Sequence, residues 1–383
     1  TNYKRQTKTT RHDFEKGTDE LTTGDGEQDI AKFNNLVFRT TVQYQVSTKV
    51  SLQPGIDINR EQASGQRILG TPVITDYAAF VSAEIKPTAG INIRPGLRFI
   101  KNSVYDAPPV IPSINTKFSL SNQLDFRLAY AYGFRSPALR ELYFEFIDAN
   151  HNIVGNPNLK AETSNSFNGS LNWVAVPKNN INYSVSLSGF YNQFTNQIDF
   201  ALSSPTSNQY TYFNVNNAKT AGATLENKFS RKNLDATLGF SYIGISRQLF
   251  DEKDYVKETD QDFFWSPELS AGIMYNLPVF KTKLNVFYKL TGKRPQLVTG
   301  KNASNQAILT VSETNAFHLA DFISNTQINK YISFTMGVKN IFDVTNVNNS
   351  APDNGSIHNT GASIAVGYGR SYFAGLSFQW NKK

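Results

Sequence analysis

"LDFRLAYAYGFR", residues 124–135, alternates apolar and polar positions without a break. Leu124, Phe126, Leu128, Tyr130 and Tyr132 share one face, and Asp125, Arg127, Ala129, Ala131 and Gly133 share the other. A period of two places successive side chains on opposite faces of an extended chain, so the stretch reads as a strand. The same rule groups Tyr183, Val185 and Leu187 against Asn182, Ser184, Ser186 and Ser188. It groups Leu284, Val286, Tyr288 and Leu290, then Ile332, Phe334, Met336 and Val338, and finally Tyr372, Ala374, Leu376, Phe378 and Trp380. The opposing faces are small and polar. No amphipathic helix of useful length appears, so the chain is expected to be all-β.

The connections between these strands sort by length. Short turns fall near 47–48, 87–88, 121–122, 177–178, 231–233, 277–278 and 329–330. Long polar stretches cover 13–31, 61–74, 102–112, 135–160, 249–262, 294–314 and 343–362, with a shorter one near 203–208. Long and short alternate, which is the connectivity of an antiparallel transmembrane β-barrel with tight periplasmic turns and long external loops. About sixteen strands are expected, many as long as a tilted membrane strand requires. A soluble sandwich has shorter strands and no reason to sort its loops.

Composition agrees with this reading. The chain has 383 residues, 39% hydrophobic and 13% aromatic, with 28 Phe and 18 Tyr. Its mean hydropathy of −0.39 would suit a soluble protein, but alternating strands average out to such values in membrane barrels too. Cysteine is absent, which removes disulfides, thiolate metal sites and a cysteine nucleophile. The net charge of +7 is spread along the chain with no basic tract, so nucleic acid is not an expected partner. The closing "YFAGLSFQWNKK" reads as a last strand ending in the periplasm, which turns residues 133–162 outward.

Those residues carry a family likeness. "YGFRSPALRELY" followed by "GNPNLKAETSNSF" resembles the paired motif of TonB-dependent outer-membrane receptors, and "GVKNIFDVTN" with "GYGRSYFAGLSFQW" resembles their last two strands. The resemblance implies a barrel of about twenty-two strands with a plug in its lumen. Residues 1–383 then read as one domain, the C-terminal portion of such a barrel, lacking the plug. It further implies a Gram-negative outer-membrane location and active uptake of an iron-containing nutrient. The implied partners are membrane lipid, TonB acting through the missing plug, a small iron complex and a surface lipoprotein. No resident cofactor is implied.

Within the family, haem receptors carry an FRAP box and an NPDL box with a histidine between them. Here Phe134-Arg135-Ser136-Pro137 and Asn156-Pro157-Asn158-Leu159 stand in those places, with His151 between. Haem is therefore the first expectation, His151 its iron ligand, and Tyr143, Phe144 and Phe146 a stacking surface. Ser136, Asn158 and Ala161 depart from the haem pattern, and a ferric siderophore or cobalamin is the alternative.

The residues alone also allow a plainer reading. Pro137 and Pro157 lack a ladder donor and mark where pairing stops. Arg135 can pair with Glu141 or Glu162 and, with Asn156, fix the loop base rather than touch a ligand. The aromatics can be a buried anchor. His358 is a second candidate ligand, whereas His12 and His318 read as loop-base or strand residues. The acidic stretches 17–29 and 251–262 have the donors for calcium, but not an EF-hand spacing. No nucleophile elbow or paired-histidine metal motif appears, so an enzyme is not expected. A passive porin and a barrel hydrolase are the rivals from other classes.

The alternation of loop lengths fixes a topology that can be checked on intact cells. Epitope tags at Lys301 and Asp353 should be labelled from outside, and tags at Pro177 and Lys330 only after the outer membrane is opened. Equal labelling of both sets would contradict the assigned sides.

Overall fold

The computed structural model describes all residues except 1, 8–9, 14–17, 22–28, 148–151, 204–208, 216–217, 247–255, 258–262, 302–303, 305–306, 349, 351–362 and 381–383. Among the described residues, the long strands belong to one antiparallel sheet of 17 strands. This is the expected all-β architecture. The chain divides into two compact units, one of residues 1–116, 129–167 and 192–218, the other of 117–128, 168–191 and 219–383.

In the first unit, strands Asp29–Thr41, Val50–Ser64, Val73–Thr88 and Ile91–Asn102 pair in chain order. Apart from one irregularity between Ile85 and Thr88, the register holds one parity on each face. Leu36, Phe38, Ile56, Tyr77, Leu97 and Phe99 line one face, each 43–64% exposed. The other face is polar. There Asp57, its side chain 7% exposed, accepts from Arg39 at 2.7 Å and Arg98 at 3.1 Å. Beside it, Asn35 donates to Asn59 at 3.1 Å, and Asn59 donates to Glu61 at 3.1 Å. Towards the short-turn end, Glu84 accepts from Asn92 at 2.8 Å and pairs with Arg94 and Lys86. A secluded carboxylate is tolerable only when paired, and cross-strand partners supply the pairing here. Gly55 sits on this polar face because a Cβ there would fall 2.3 Å from the Phe80 ring.

The second unit repeats the rule. Its strands Ala218–Arg231, Leu234–Ser246, Phe264–Leu277, Thr282–Thr291, Phe317–Gln327, Ile332–Lys339 and Ser371–Phe378 pair in that order. The register sets Val286 against Phe322, Phe322 against Val338, and Val338 against Tyr372, so the sequence-derived face is real. Leu238, Phe240, Ile273, Met336 and Leu376 on that face are exposed. Aromatic pairs mark its two ends. Tyr242 stacks on Trp265 at 5.0 Å near the long loops, and Tyr331 stacks on Trp380 at 5.9 Å near the short turns. Trp265 and Tyr275 share a face of one strand, ten residues apart. At about 3.3 Å per residue and a tilt of about 40°, that span is about 25 Å in height, which matches the apolar band of an outer-membrane barrel.

Two features differ from the sequence reading. The turn expected at 177–178 lies two residues later, at Asn179 and Asn180, with φ of 54° and 61°. Asparagine accepts the left-handed conformation that a tight hairpin demands, whereas Pro177 cannot. The long connections are also not irregular throughout. Thr10–Asp13 pairs with Thr18–Leu21, Arg294–Lys301 with Ala307–Thr314, and Asn346–Asn348 with Ser363–Ala365. Loops this long satisfy part of their backbone by forming hairpins of their own.

Candidate functional site

The 133–162 segment builds a platform inside the first unit. After Arg135 the chain leaves the main sheet and forms a one-turn helix, Leu139–Tyr143, followed by short strands Glu145–Ile147 and Asn152–Val154. Glu141 starts the helix by accepting the Ala138 N–H at 2.7 Å. The two short strands join Gln197–Leu202 and Tyr210–Val215 in a separate four-stranded sheet. The chain reaches that sheet from the Ile181–Thr195 strand through Asn196, whose φ of 56° lets it turn away.

Leu139, Leu142 and Leu159 are buried with Ala63, Ile68 and Ile74, and Tyr143, Phe144, Ile198 and Tyr212 pack around them. Leu142 is 1% exposed. The described residues of the platform therefore form a folded subdomain. It is sewn to the Ser64–Val73 connection through backbone bonds from Leu69 to the Tyr143 carbonyl at 2.8 Å and from Glu145 to the Arg67 carbonyl at 3.0 Å.

Arg135 holds the base. Its Nε and Nη2 donate to both Glu162 oxygens at 2.6 and 2.7 Å, and its Nη1 donates to both Glu141 oxygens at 3.1 and 3.0 Å. The sequence offered one carboxylate or the other; the structure uses both. Glu162 also accepts the Ile198 N–H at 2.6 Å, so one guanidinium links the helix, the returning strand and the neighbouring hairpin. Planar bidentate pairing of this kind is specific to arginine. Asn156 is engaged as well: its Nδ2 donates to the Tyr212 carbonyl at 2.9 Å and its Oδ1 accepts the Asn158 N–H at 2.9 Å. Pro137, Leu159 and Ala161 are buried.

The aromatics lie on one face of the small sheet. Phe146 pairs in register with Ile153, Ile153 with Tyr210, and Tyr212 with Phe200. Phe144 and Phe146 are 6.2 Å apart, and Phe200 lies 5.4 Å from Tyr210 and 4.9 Å from Tyr212. Near the core this face is filled. Further out it opens, with Phe200 40% exposed. Two cations attend it: Arg67 lies 3.9 Å from the Phe146 ring centre and Arg140 lies 4.6 Å from that of Phe144. Beneath, the Tyr105 hydroxyl donates to Asp76 at 3.1 Å, and burial pushes its phenol well above the usual range, so it stays a donor. Chemically the arrangement suits a flat or aromatic anion held by stacking and cation contact. Among the described residues it pairs no nucleophile with a base.

The other candidates are less informative. His151 and His358 lie outside the described residues, as do most of 17–29 and 251–262. His12 pairs in register with Asp19 in a hairpin. His318 stacks on Phe342 at 4.8 Å. Among the described residues no group of three or more His, Cys, Asp or Glu is placed to hold a metal ion. Sequence reasoning missed Arg67, Phe200, Tyr210, Tyr212 and Asn214, which come from other connections. Asn214 clamps the platform by accepting the Lys160 N–H at 2.8 Å and donating to the Lys160 carbonyl at 2.9 Å. Only the density of aromatics in 198–213 signalled this partner strand.

A family model described as "TonB dependent receptor-like, beta-barrel" matches residues 1–341. The chain belongs to that family. The outer-membrane location, barrel fold and non-enzymatic class expected from the motifs stand with the membership. A curated relative, the vitamin B12 transporter BtuB of Vibrio vulnificus strain YJ016, is 23% identical over 260 residues, 68% of this chain and 36% of that protein. Among solved structures, the siderophore receptor PirA of Acinetobacter baumannii superposes with a TM-score of 0.68 at 16% identity, over 98% of this chain and 58% of that one. The ferric enterobactin receptor PfeA of Pseudomonas aeruginosa, solved with enterobactin, gives 0.67 at 15% over 98% and 58%. The iron transporter FrpB of Neisseria meningitidis gives 0.66 at 14% over 92% and 56%. At these identities the likeness concerns the fold, and the chain spans little more than half the length of the receptors it superposes on.

The receptor's platform should loosen when Arg135 goes. Arg135→Gln leaves Glu141 and Glu162 short of their partner, at a local cost of about 2 kcal/mol, or about thirtyfold in opening. Hydrogen exchange should quicken by that factor across 136–147 and 152–161 and remain unchanged in the Val73–Thr88 strand. Unchanged exchange in the platform would show that Arg135 does not hold it.

Proposed function

We propose that the chain forms the barrel of a receptor that captures a metal-chelate nutrient in its outer loops and imports it by TonB-coupled active transport. In this reading residues 1–383 act as one barrel domain. The observation that carries it is the aromatic face of the platform, the part-buried Phe146 and Tyr210 and the exposed Phe200, with the exposed Arg140 beside the Phe144 ring. A ferric siderophore is the preferred cargo. An anionic chelate with aromatic arms would gain stacking area and cation contact there together. The similar receptors, siderophore and ferric enterobactin receptors among them, support the same order. A cobalamin-type cargo is second, on the strength of the curated relative.

Haem, the first expectation from His151, falls behind both, since the relatives described above speak for siderophore and B12 cargoes. Phe146 and His151 remain proposed ligand contacts, whereas Phe144 packs against the platform core. Tyr143, Arg135 and Asn156 are assigned instead to holding the platform, because packing or hydrogen bonds already occupy them. Coupling to TonB is carried over from the family.

Ligand titration of the protein extracted from outer membranes tests this. Ferric enterobactin should quench its aromatic fluorescence, cyanocobalamin more weakly, and hemin should give no ligation-type shift of its absorption. Phe200→Ala should weaken ferric enterobactin binding about tenfold, the loss of about 1.4 kcal/mol of stacking. Tight hemin binding whose spectrum changes in His151→Ala would restore the haem reading and overturn this one.

A further inference from the structure

The apolar face of the first unit carries a charge asymmetry that transport does not require. On strands Asp29–Thr41, Val50–Ser64, Val73–Thr88 and Ile91–Asn102, the carboxylates whose side chains are described (Asp57, Glu61, Asp76 and Glu84) all have the parity of the polar face. The opposite parity holds no acid at all but three cations, Lys32, Arg60 and Lys101, all exposed. None of the three side chains has an ion-pair or hydrogen-bond partner among the described residues.

Their position is as telling as their sign. Along the second strand the apolar-face residues run Leu52, Pro54, Ile56, Ile58 and then Arg60. Along the fourth they run Ile91, Ile93, Pro95, Leu97, Phe99 and then Lys101. Both cations thus cap the apolar band at the end that leads into the long loops. Tyr77, 52% exposed, lies between them, paired in register with Ile58 on one side and Lys101 on the other. Two interstrand steps of about 4.8 Å and two residues of about 3.3 Å put the Arg60 and Lys101 Cα atoms about 12 Å apart. Both side chains can therefore reach a single phosphorylated headgroup, with the Tyr77 ring at the level where lipid chains meet the polar layer.

We propose that Arg60 and Lys101, flanking Tyr77, form a binding site on the lipid-facing wall for the phosphate groups of an outer-leaflet lipid, with Lys32 at its loopward edge. A phosphate on this face meets cations with no carboxylate competing for them, and guanidinium is the side chain best matched to its oxygens. The acyl chains of the same lipid lie along the exposed Ile56, Leu97 and Phe99.

The protein, extracted in mild detergent from the outer membrane in which it is made, can be tested by native mass spectrometry with bisphosphorylated lipid A as the probe. Wild type should retain the lipid. Arg60→Gln with Lys101→Gln should retain at least tenfold less, while Arg60→Lys with Lys101→Arg should restore retention and serve as the folding control. Dephosphorylated lipid A should bind neither form, and millimolar inorganic phosphate should not displace the bound lipid. Equal retention by the glutamine pair and wild type, or equal binding of the dephosphorylated lipid, would overturn the proposal. Displacement by inorganic phosphate would overturn the lipid as occupant and leave a simple anion site.

Discussion

Backbone hydrogen bonding inside a lipid layer dominates this structure. No water is available there, so each N–H and carbonyl of a spanning segment must find its partner in a neighbouring strand. That demand explains strands of eight to sixteen residues held in antiparallel register, from Leu234–Ser246 against Phe264–Leu277 to Val50–Ser64 against Val73–Thr88. Once the ladder is fixed, the period of two sorts side chains without further choice. Ile56 faces one way and Asp57 the other; a slip of one residue would exchange them. The paired carboxylates of the polar face and the exposed aliphatics of the apolar face are both consequences of that register.

The constraint ends where the long loops begin, and different forces take over. The platform of residues 136–161 is organised by a small buried core around Leu142 and by the Arg135 fork, not by the membrane. Its anchors come from sequence positions far apart: Ile68 from one connection, Ile198 and Tyr212 from another. In the function proposed, a platform so anchored would present Phe146, Tyr210 and Phe200 in a fixed arrangement and lower the ordering cost of capture.

This division accounts for what could be read from the sequence. The strands were legible because alternation is a local signal, and Leu284 through Leu290 or Tyr372 through Phe378 needed no tertiary information. The Arg135 pairing was legible because both carboxylates lie within the same stretch. The small external sheet was not, because a parallel pairing of Ile153 with Tyr210 joins segments that neither periodicity nor spacing connects. The hairpin at Asn179–Asn180 was displaced by two residues because Pro177 is the louder punctuation mark, although asparagine is the residue the left-handed turn needs.

The central claim is that opposite parities of one strand meet lipid and water. The absence of cysteine makes it directly measurable, since single cysteines can be introduced and spin-labelled at will. Labels at Ile56, Leu97, Leu238 and Ile273, compared with labels at Asn59, Ser82, Thr237 and Ser270, can be read by collision with oxygen and with a water-soluble nickel chelate in a lipid bilayer. The first set should favour oxygen and the second the nickel chelate, with the preference inverting at every residue along a strand. Equal access of the nickel chelate to both sets would contradict a membrane-spanning sheet.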